Sequence, residues 1–314
     1  MKKRWIVLVT GLMTVLALLI GCASKDQATE KKIVIAEQFG LAYAPLQVMQ
    51  AKGFLEASLP DYEIEWVKLG NTAAIREAIL ADALDVGFLG IPPFLIGYGN
   101  GMDWGIFTGL SSAPLGLVTS DPSITTLDDI RVTDRIALPQ PGSIQHILLS
   151  MAAEQTFGQA DYFDQQLVTM KHPDGMNALL SGGDVTLHFT SPPYLFEELA
   201  QPNLSQVIDG TSCFGGEFTF IVGMTTQTIK QDGMAFEALK GAVADAIAFM
   251  DDHPEETVAI LSDYYDYDEA TLEAYVYERG INYSTEVLGL ERFIEFMTTN
   301  GLLEKPIEAE AILW

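Results

Sequence analysis

The chain has 314 residues, 48% of them apolar and 19% charged, and its 17 basic against 43 acidic side chains give a formal net charge of −26. The apolar share excludes wholesale disorder, the length fits two compact units, and no heptad or short repeat points to a fibre or solenoid. A surface this acidic repels phosphate backbones, which excludes nucleic acid as a partner.

The first residues depart from the rest. Lys2, Lys3 and Arg4 precede a nearly unbroken apolar run over 5–20, which ends in Leu19-Ile20-Gly21-Cys22. A basic start, a short apolar stretch and small residues at its end predict a signal peptide over 1–21. The run is shorter than the ~20 residues a membrane span requires. Leu-Ile-Gly-Cys also resembles a bacterial lipobox, which implies that Cys22 becomes the lipid-modified first residue of the mature chain. Two acyl chains on that sulfur are enough for stable anchoring. Residues 22–31 are then the lipidated cysteine and a small, polar tether. Cys213 is left alone, so no disulfide forms within the chain.

Beyond the tether, short apolar strands alternate with helical patterns. Residues 32–36 (KIVIA) read as a strand and 45–54 as a helix ended by Lys52-Gly53. A strand over 63–67 (EIEWV) precedes a helix capped by Asn71 or Thr72, with Ile75 and Ile79 four apart. A strand over 85–89 (DVGFL) precedes a helix with Pro92-Pro93 in its first turn. A strand over 115–119 leads into the turn signal Asp121-Pro122.

A second series follows: a strand at 135–138, a helix from Ser143, a strand at 166–170, a helix from Pro173, a strand at 185–189 and a helix from Pro192. The Ser143 helix carries Ile144, Ile147, Leu148 and Met151, the stripe of a packed helix. A strand over 218–222 leads out. The remainder is helical, striped by Phe236, Leu239, Val243, Ile247 and Met250 and then by Leu290, Phe293, Ile294 and Met297. Strand–helix alternation at this spacing predicts right-handed parallel units and an α/β class. One series inserted in the other predicts two lobes, 32–118 plus 223–314 and 119–222, with crossovers near 118–121 and 220–223.

Ligands of open α/β sheets bind beyond the carboxyl ends of the strands, where two facing lobes form a cleft. The candidate lining is the loops 38–43 (QFGLAY), 70–72 (GNT), 90–92 (GIP), 141–143 (PGS), 190–191 (TS) and 217–218 (EF), none of which contains a basic residue. Several run straight into a helix, whose free N–H groups and positive dipole end hold an anion without Lys or Arg. His172, His188, Asp174 and Asp184 lack close ligand spacing, so no metal is expected. There is no Gly-x-Ser-x-Gly elbow or P-loop, and Gly97-Tyr98-Gly99-Asn100-Gly101 follows a helix, which makes it a helix C-terminal turn. The acidic cluster over 263–269 has no regular oxygen-ligand spacing and reads as a helix–helix connection. His146 is expected to be a packed, hydrogen-bonded histidine, Cys213 a buried apolar residue and Glu217 solvent-facing; His188 fits cleft contact and core equally.

Residues 44–56 (APLQVMQAKGFLE), 65–67 (EWV), Leu84-Asp85-Val86-Gly87 within 78–90, 137–139 with Gly142-Ser143 and His146, 174–184 (DGMNALLSGGD) and Pro193-Tyr194 resemble, in order and spacing, the nitrate/sulfonate/taurine-type solute-binding proteins of ABC importers. The resemblance covers residues 32 to about 262. It implies a two-lobed periplasmic-binding-protein-like fold of type II, with mixed, mostly parallel sheets, flanking helices and two hinge crossovers. It also implies a small organic anion, such as a sulfonate, taurine or nitrate, in the interlobe cleft. Carried to the matching loops, the ligand contacts are Gln38, Gly40, Tyr43, Asn71, Thr72, Ile91, Ser143 and Ser191, to which His188 is added from its strand end.

The expected protein is a monomeric, lipid-anchored extracytoplasmic receptor serving an ABC permease and ATPase, with no enzymatic activity and no cofactor. Relatives in the superfamily bind thiamine-type pyrimidines, so the alternative is a flat heterocycle held among Phe39, Tyr43, Phe189, Tyr194 and Phe218. A pyrimidine-forming synthase needs a cysteine-rich stretch and a cofactor-binding lysine, and the mature chain has one free cysteine. A ligand sensor on the same fold is a third reading.

Overall fold

The computed structural model describes residues 31–314, so the expected signal peptide, the lipidated Cys22 and the tether up to residue 30 lie outside the described residues. Among the described residues, eleven strands form two sheets. In the first, β1 (Lys31–Glu37) lies between β2 (Tyr62–Lys68) and β3 (Val86–Gly90), parallel to both, with Ile33 opposite Ile64 and Ile35 opposite Val86. β3 is buried along its whole length, as a central parallel strand covered on both faces must be. Beyond β3 come the antiparallel β10 (Ile221–Thr226), then β4 (Trp104–Ser112) and the short β11 (Asn282–Tyr283).

The second sheet has the same plan. β6 (Ile136–Leu138) lies between and parallel to β7 (Leu167–Thr169) and β8 (Leu187–Thr190), followed by the antiparallel β5 (Gly116–Thr119) and the edge strand β9 (Ser205–Asp209). In each sheet one antiparallel strand arrives from the other sheet's side: β5 follows β4 directly, and β10 follows the segment after β9. The strand containing Gly116 to Val118 therefore belongs to the second sheet, and the expected boundary at Val118 falls inside it. The chain leaves the first sheet after Ser112 and comes back to it at Ile221.

Three of the strands have no counterpart in the sequence pattern: β4, β9 and β11. β4 (WGIFTGLSS) carries two glycines, which weaken a strand pattern. Packing demands both, since a Cβ on Gly105 would sit 2.1 Å from the Trp314 ring and one on Gly109 2.0 Å from the Glu286 carbonyl oxygen.

The helices that matter for the cleft start at the carboxyl ends of parallel strands. They are α1 (Ala44–Lys52) after β1, α2 (Thr72–Leu80) after β2 and α3 (Ile91–Gly99) after β3 in the first lobe. In the second lobe they are α4 (Ile144–Phe157) after β6, α5 (His172–Ser181) after β7 and α6 (Tyr194–Leu199) after β8. The two helical stripes read from the sequence form α7 (Gly233–Asp252), which packs on α1, and α8 (Leu290–Thr299), which packs on α3. Among the described residues no helix is long and apolar enough to cross a membrane.

Trp104, fully buried on β4, stacks on Phe94 of α3 with ring centroids 5.2 Å apart and so anchors a helix whose first turn faces the cleft. Truncating it leaves a cavity that neighbouring side chains only partly fill. Trp104→Ala is expected to lower stability by about 3–5 kcal/mol in equilibrium urea unfolding.

Candidate functional site

A cavity of about 40 Å³ lies where the two sheets' helix-bearing ends face each other. That is room for on the order of three waters, the scale of an oxyanion head group. The first lobe lines it with Gln38, Phe39, Tyr43, Gly70, Thr72 and Gly90, and the second with Pro139, Ser143, Ile144, Gln145, Lys171 and His172. Phe220 and Ile221, at the return crossover, complete the wall.

The first turns of α2, α3, α4 and α5 all meet this space, so four positive dipole ends converge on it. They are not equivalent as donors. On α2, Ala74 N–H is taken by the Asn71 side chain (3.1 Å) and Ala73 N–H by Gln140 Oε1 from the opposite lobe (3.1 Å). On α3, Pro92 and Pro93 remove two N–H groups outright. On α4, Ser143 caps His146 N–H at 3.3 Å, while the N–H groups of Ile144 and Gln145 have no protein acceptor among the described residues. The Tyr43 hydroxyl likewise has no partner among the described residues, and burial holds this phenol far above its usual pKa, so it stays a neutral donor.

The one cation among the described wall residues comes from a segment that no sequence motif marks. Lys171 is the N-cap residue of α5, and its side chain crosses to the first lobe, where a Cβ on Gly70 would lie 2.7 Å from Lys171 Cε. Gly70 thus makes room for the lysine stem. No carboxylate lies within 4.0 Å of Lys171 Nζ among the described residues, which leaves its charge available to a ligand.

Of the residues expected from the sequence, Gln38, Tyr43, Thr72 and Ser143 line the cavity. Gln38 is held by bonds from its Nε2 to Phe88 O (3.2 Å) and Thr72 Oγ1 (3.4 Å). The others stand behind the wall. Asn71 is occupied as the cap of α2, Ile91 is fully buried, and Gly40 abuts the Pro192 carbonyl, 2.9 Å from where its Cβ would be. Ser191 is buried with its Oγ 3.5 Å from His172 Nε2. His188 has no exposed surface and is screened from the cavity by His172.

The aromatic set expected to sandwich a heterocycle is not assembled. Phe39 and Tyr43 line the cavity, but Phe189 is core, Phe218 packs on Phe214 and Phe293, and Tyr194 stacks on His172 at 5.7 Å. His146 accepts from Gly142 N–H at 2.9 Å and pairs with Asp164 at 2.9 Å, a packed and hydrogen-bonded residue; Cys213 is buried and Glu217 exposed. Lys171 and His172 escape a sequence reading of the cleft because the two-residue loop after β7 gives little pattern to read, and Gln145 because it lies inside α4, past the loop that marks the helix start. The signal available is Lys171-His172-Pro173, a polar pair followed by a helix-opening proline.

Direct contacts join the lobes around the cavity. Leu41 N–H donates to Pro192 O at 3.2 Å, and the Tyr267 hydroxyl donates to Glu197. The Arg279 guanidinium lies 4.7 Å over the Phe196 ring. These contacts hold the two lobes against each other around the cavity.

No protein-family model and no curated protein sequence matches the chain. Solved structures do. The alkanesulfonate-binding protein SsuA from Xanthomonas axonopodis pv. citri, bound to MOPS, superposes with a TM-score of 0.74 at 18% identity over 90% of this chain and 98% of its own. The periplasmic aliphatic sulphonate binding protein SsuA from Escherichia coli gives 0.69 at 19% identity over 90% and 92%. The Candida albicans CA3427 gene product, described as having the generic periplasmic binding protein structural fold, gives 0.70 at 14% over 88% and 92%. The chain has the periplasmic-binding-protein fold.

His172 and His188 are both buried, which holds their pKa values below the usual histidine range, His188 at about 3. Groups with depressed folded-state values contribute nothing to the pH dependence above the unfolded histidine pKa, and below it the unfolded chain takes up protons that the folded one does not. Stability is therefore expected to fall on acidification below about pH 6.5, with each histidine contributing a slope of up to ~1.4 kcal/mol per pH unit. Urea unfolding across this range, with His188→Asn as the comparison showing a shallower slope, checks it.

Proposed function

We propose that the protein is the extracytoplasmic solute-binding component of an ABC importer and that it takes a small organic anion, a sulfonate or a nitrate-like oxyanion, between its lobes. The observation that carries the reading is the meeting of four helix N-termini and Lys171 on one cavity shared by both lobes. Such a wall offers positive potential and donors and, among the described residues, has no carboxylate on it, which suits an anion with several acceptor oxygens. The fold likeness to sulfonate-binding proteins supports the same class. The lipobox-like Leu19-Ile20-Gly21-Cys22 supports anchoring through Cys22 at the outer face of a membrane, where a permease receives the cargo. On this reading the protein binds and delivers its cargo, which the fold likeness to binding proteins supports.

The contacts between lobes define how the ligand acts. Ser143, Ile144 N–H, Gln145 N–H and Lys171 belong to one lobe, and Gln38, Thr72 and Tyr43 to the other. A ligand held by both sets binds the closed form better than the open one and shifts the population toward it.

A thermal-shift and calorimetric screen of ethanesulfonate, taurine, nitrate and a thiamine-type pyrimidine is expected to give a rise in melting temperature for a sulfonate or nitrate and none for the pyrimidine. Lys171→Met and Ser143→Ala should each weaken the hit, the lysine change by about tenfold or more, equivalent to ~1.4 kcal/mol. Undiminished affinity in both variants would place the ligand elsewhere. In solution scattering, saturating ligand should reduce the radius of gyration; an unchanged radius with ligand bound would contradict lobe closure.

A further inference from the structure

A line of buried polar side chains runs from the core of the second lobe to the cavity wall. Glu198 on α6 has no exposed surface, and its Oε1 lies 2.5 Å from His188 Nδ1. His188 Nε2 lies 3.4 Å from His172 Nδ1. His172 lines the cavity, with its Nε2 3.2 Å from the Gln145 side-chain amide and 3.5 Å from Ser191 Oγ. Thr190 Oγ1, 3.2 Å from His172 Nδ1, and the stacked Tyr194 ring keep His172 in place. Gly175 admits the second imidazole, since a Cβ there would lie 2.6 Å from His188 Nε2.

We propose that Glu198 and His188 are positioning residues for His172, and that the proton on Glu198 decides whether His172 presents a donor or an acceptor to the ligand cavity. The inference rests on the ligand-binding reading of that cavity. Both imidazoles are neutral in the interior, so each carries one N–H and the line has two self-consistent orders. In the first, the Glu198 hydroxyl donates to His188 Nδ1, His188 Nε2–H donates to His172 Nδ1, and His172 Nε2–H is left for the cavity side. In the second, ionised Glu198 accepts His188 Nδ1–H, His188 Nε2 accepts His172 Nδ1–H, and His172 Nε2 is a bare acceptor. The change conserves every atom: Glu198 passes its proton to His188 Nδ1, His188 Nε2 passes one to His172 Nδ1, and His172 Nε2 releases one to solvent. The Gln145 amide can turn over to match either order.

The surroundings select the first order at neutral pH. Glu198 Oε2 is buried without a hydrogen-bond partner among the described residues, and an ionised carboxylate with one bare oxygen is far costlier there than the acid. Burial, and then the neighbouring Glu197, push its pKa up to about 9. The other titratable groups around the line do not reverse this. Lys171 and Asp174 sit at the start of α5, Tyr194 and Glu197 are on α6, Tyr267 of the first lobe bonds Glu197, and Asp209 at the end of β9 is turned to Ser212. Among the described residues no Lys or Arg nitrogen lies within 4.0 Å of Glu198. In this order the His172 end of the cavity wall is a donor: it suits a head group that only accepts, such as a sulfonate, better than a protonated one such as a hydrogen phosphonate.

The test needs no ligand for its first reading. In full-length protein with nitrogen-15-labelled histidine, long-range proton–nitrogen spectra report each ring's tautomer. His172 and His188 should both carry the proton on Nε2 at neutral pH and move together to Nδ1 as pH rises through about 9. In Glu198→Gln the side-chain amide N–H replaces the carboxyl O–H and should hold both rings as Nε2–H throughout. Calorimetry with ethanesulfonate then reads the consequence. Affinity of the native protein should fall about fivefold more than that of Glu198→Gln over the same rise, the worth of one donor. Lys171 and Tyr43 are the same in both proteins, so the difference isolates Glu198. Tautomers that stay fixed in the native protein, or that shift identically in Glu198→Gln, overturn the proposal. Absence of ethanesulfonate binding at every pH counts against the ligand class instead, and the tautomers still decide the relay.

Discussion

Backbone N–H groups at the start of a helix must find an acceptor, and the two lobes of this protein turn several of them toward one small space. Three of the four converging helices lend it something different. α2 spends its first donors on Asn71 and on Gln140 of the facing lobe, α3 lacks two because of Pro92 and Pro93, and α4 keeps Ile144 and Gln145 open. Contact between the lobes brings these groups to one place and excludes the water that would otherwise satisfy them. The acceptor with several oxygens proposed as ligand would resolve that tension, with the Lys171 charge, delivered over Gly70, beside it.

Behind that wall the second lobe tolerates an arrangement that works against its own stability. A glutamic acid and two histidines occupy a region that Leu and Phe would fill more favourably, and one oxygen of Glu198 goes unbonded among the described residues. Such groups orient one another: His188 fixes the His172 ring, and His172 abuts Gln145 and Ser191. The cleft floor is thus held by hydrogen bonds of definite direction as well as by packing.

The fold was legible because its signals are repeated. Strand, loop and capped helix recur, and Ser143, Asn71 and the Pro92-Pro93 pair each open a helix where the sequence marks one. β4 escaped because Gly105 and Gly109 are dictated by Trp314 and the Glu286 carbonyl, contacts with distant parts of the chain that no local pattern encodes. The site was legible in part for the same reason. Thr72 and Ser143 announce themselves as helix starts, whereas Lys171 matters only because the opposite lobe leaves a gap at Gly70. Alternation alone left His188 between cleft contact and core, and it is the second residue of β8, away from the strand's carboxyl end at Thr190. Which histidine faces the cavity depended on α5, whose first residue His172 stands in front of it.

The path of the chain between the sheets has an evolutionary consequence. Gly116 pairs with Asp209, Gly210 N–H bonds Leu115 O at 2.8 Å, and Phe220 N–H bonds Ser111 O at 2.8 Å, so the outgoing and incoming segments run side by side. A unit whose two ends are neighbours can be replaced whole, like a cassette, without rethreading its host. Lys171, His172 and Ser143 all travel on that cassette, while Gln38, Tyr43 and Thr72 stay with the host. Recombination at this junction would exchange the charged half of a binding site in one event and leave the neutral half untouched.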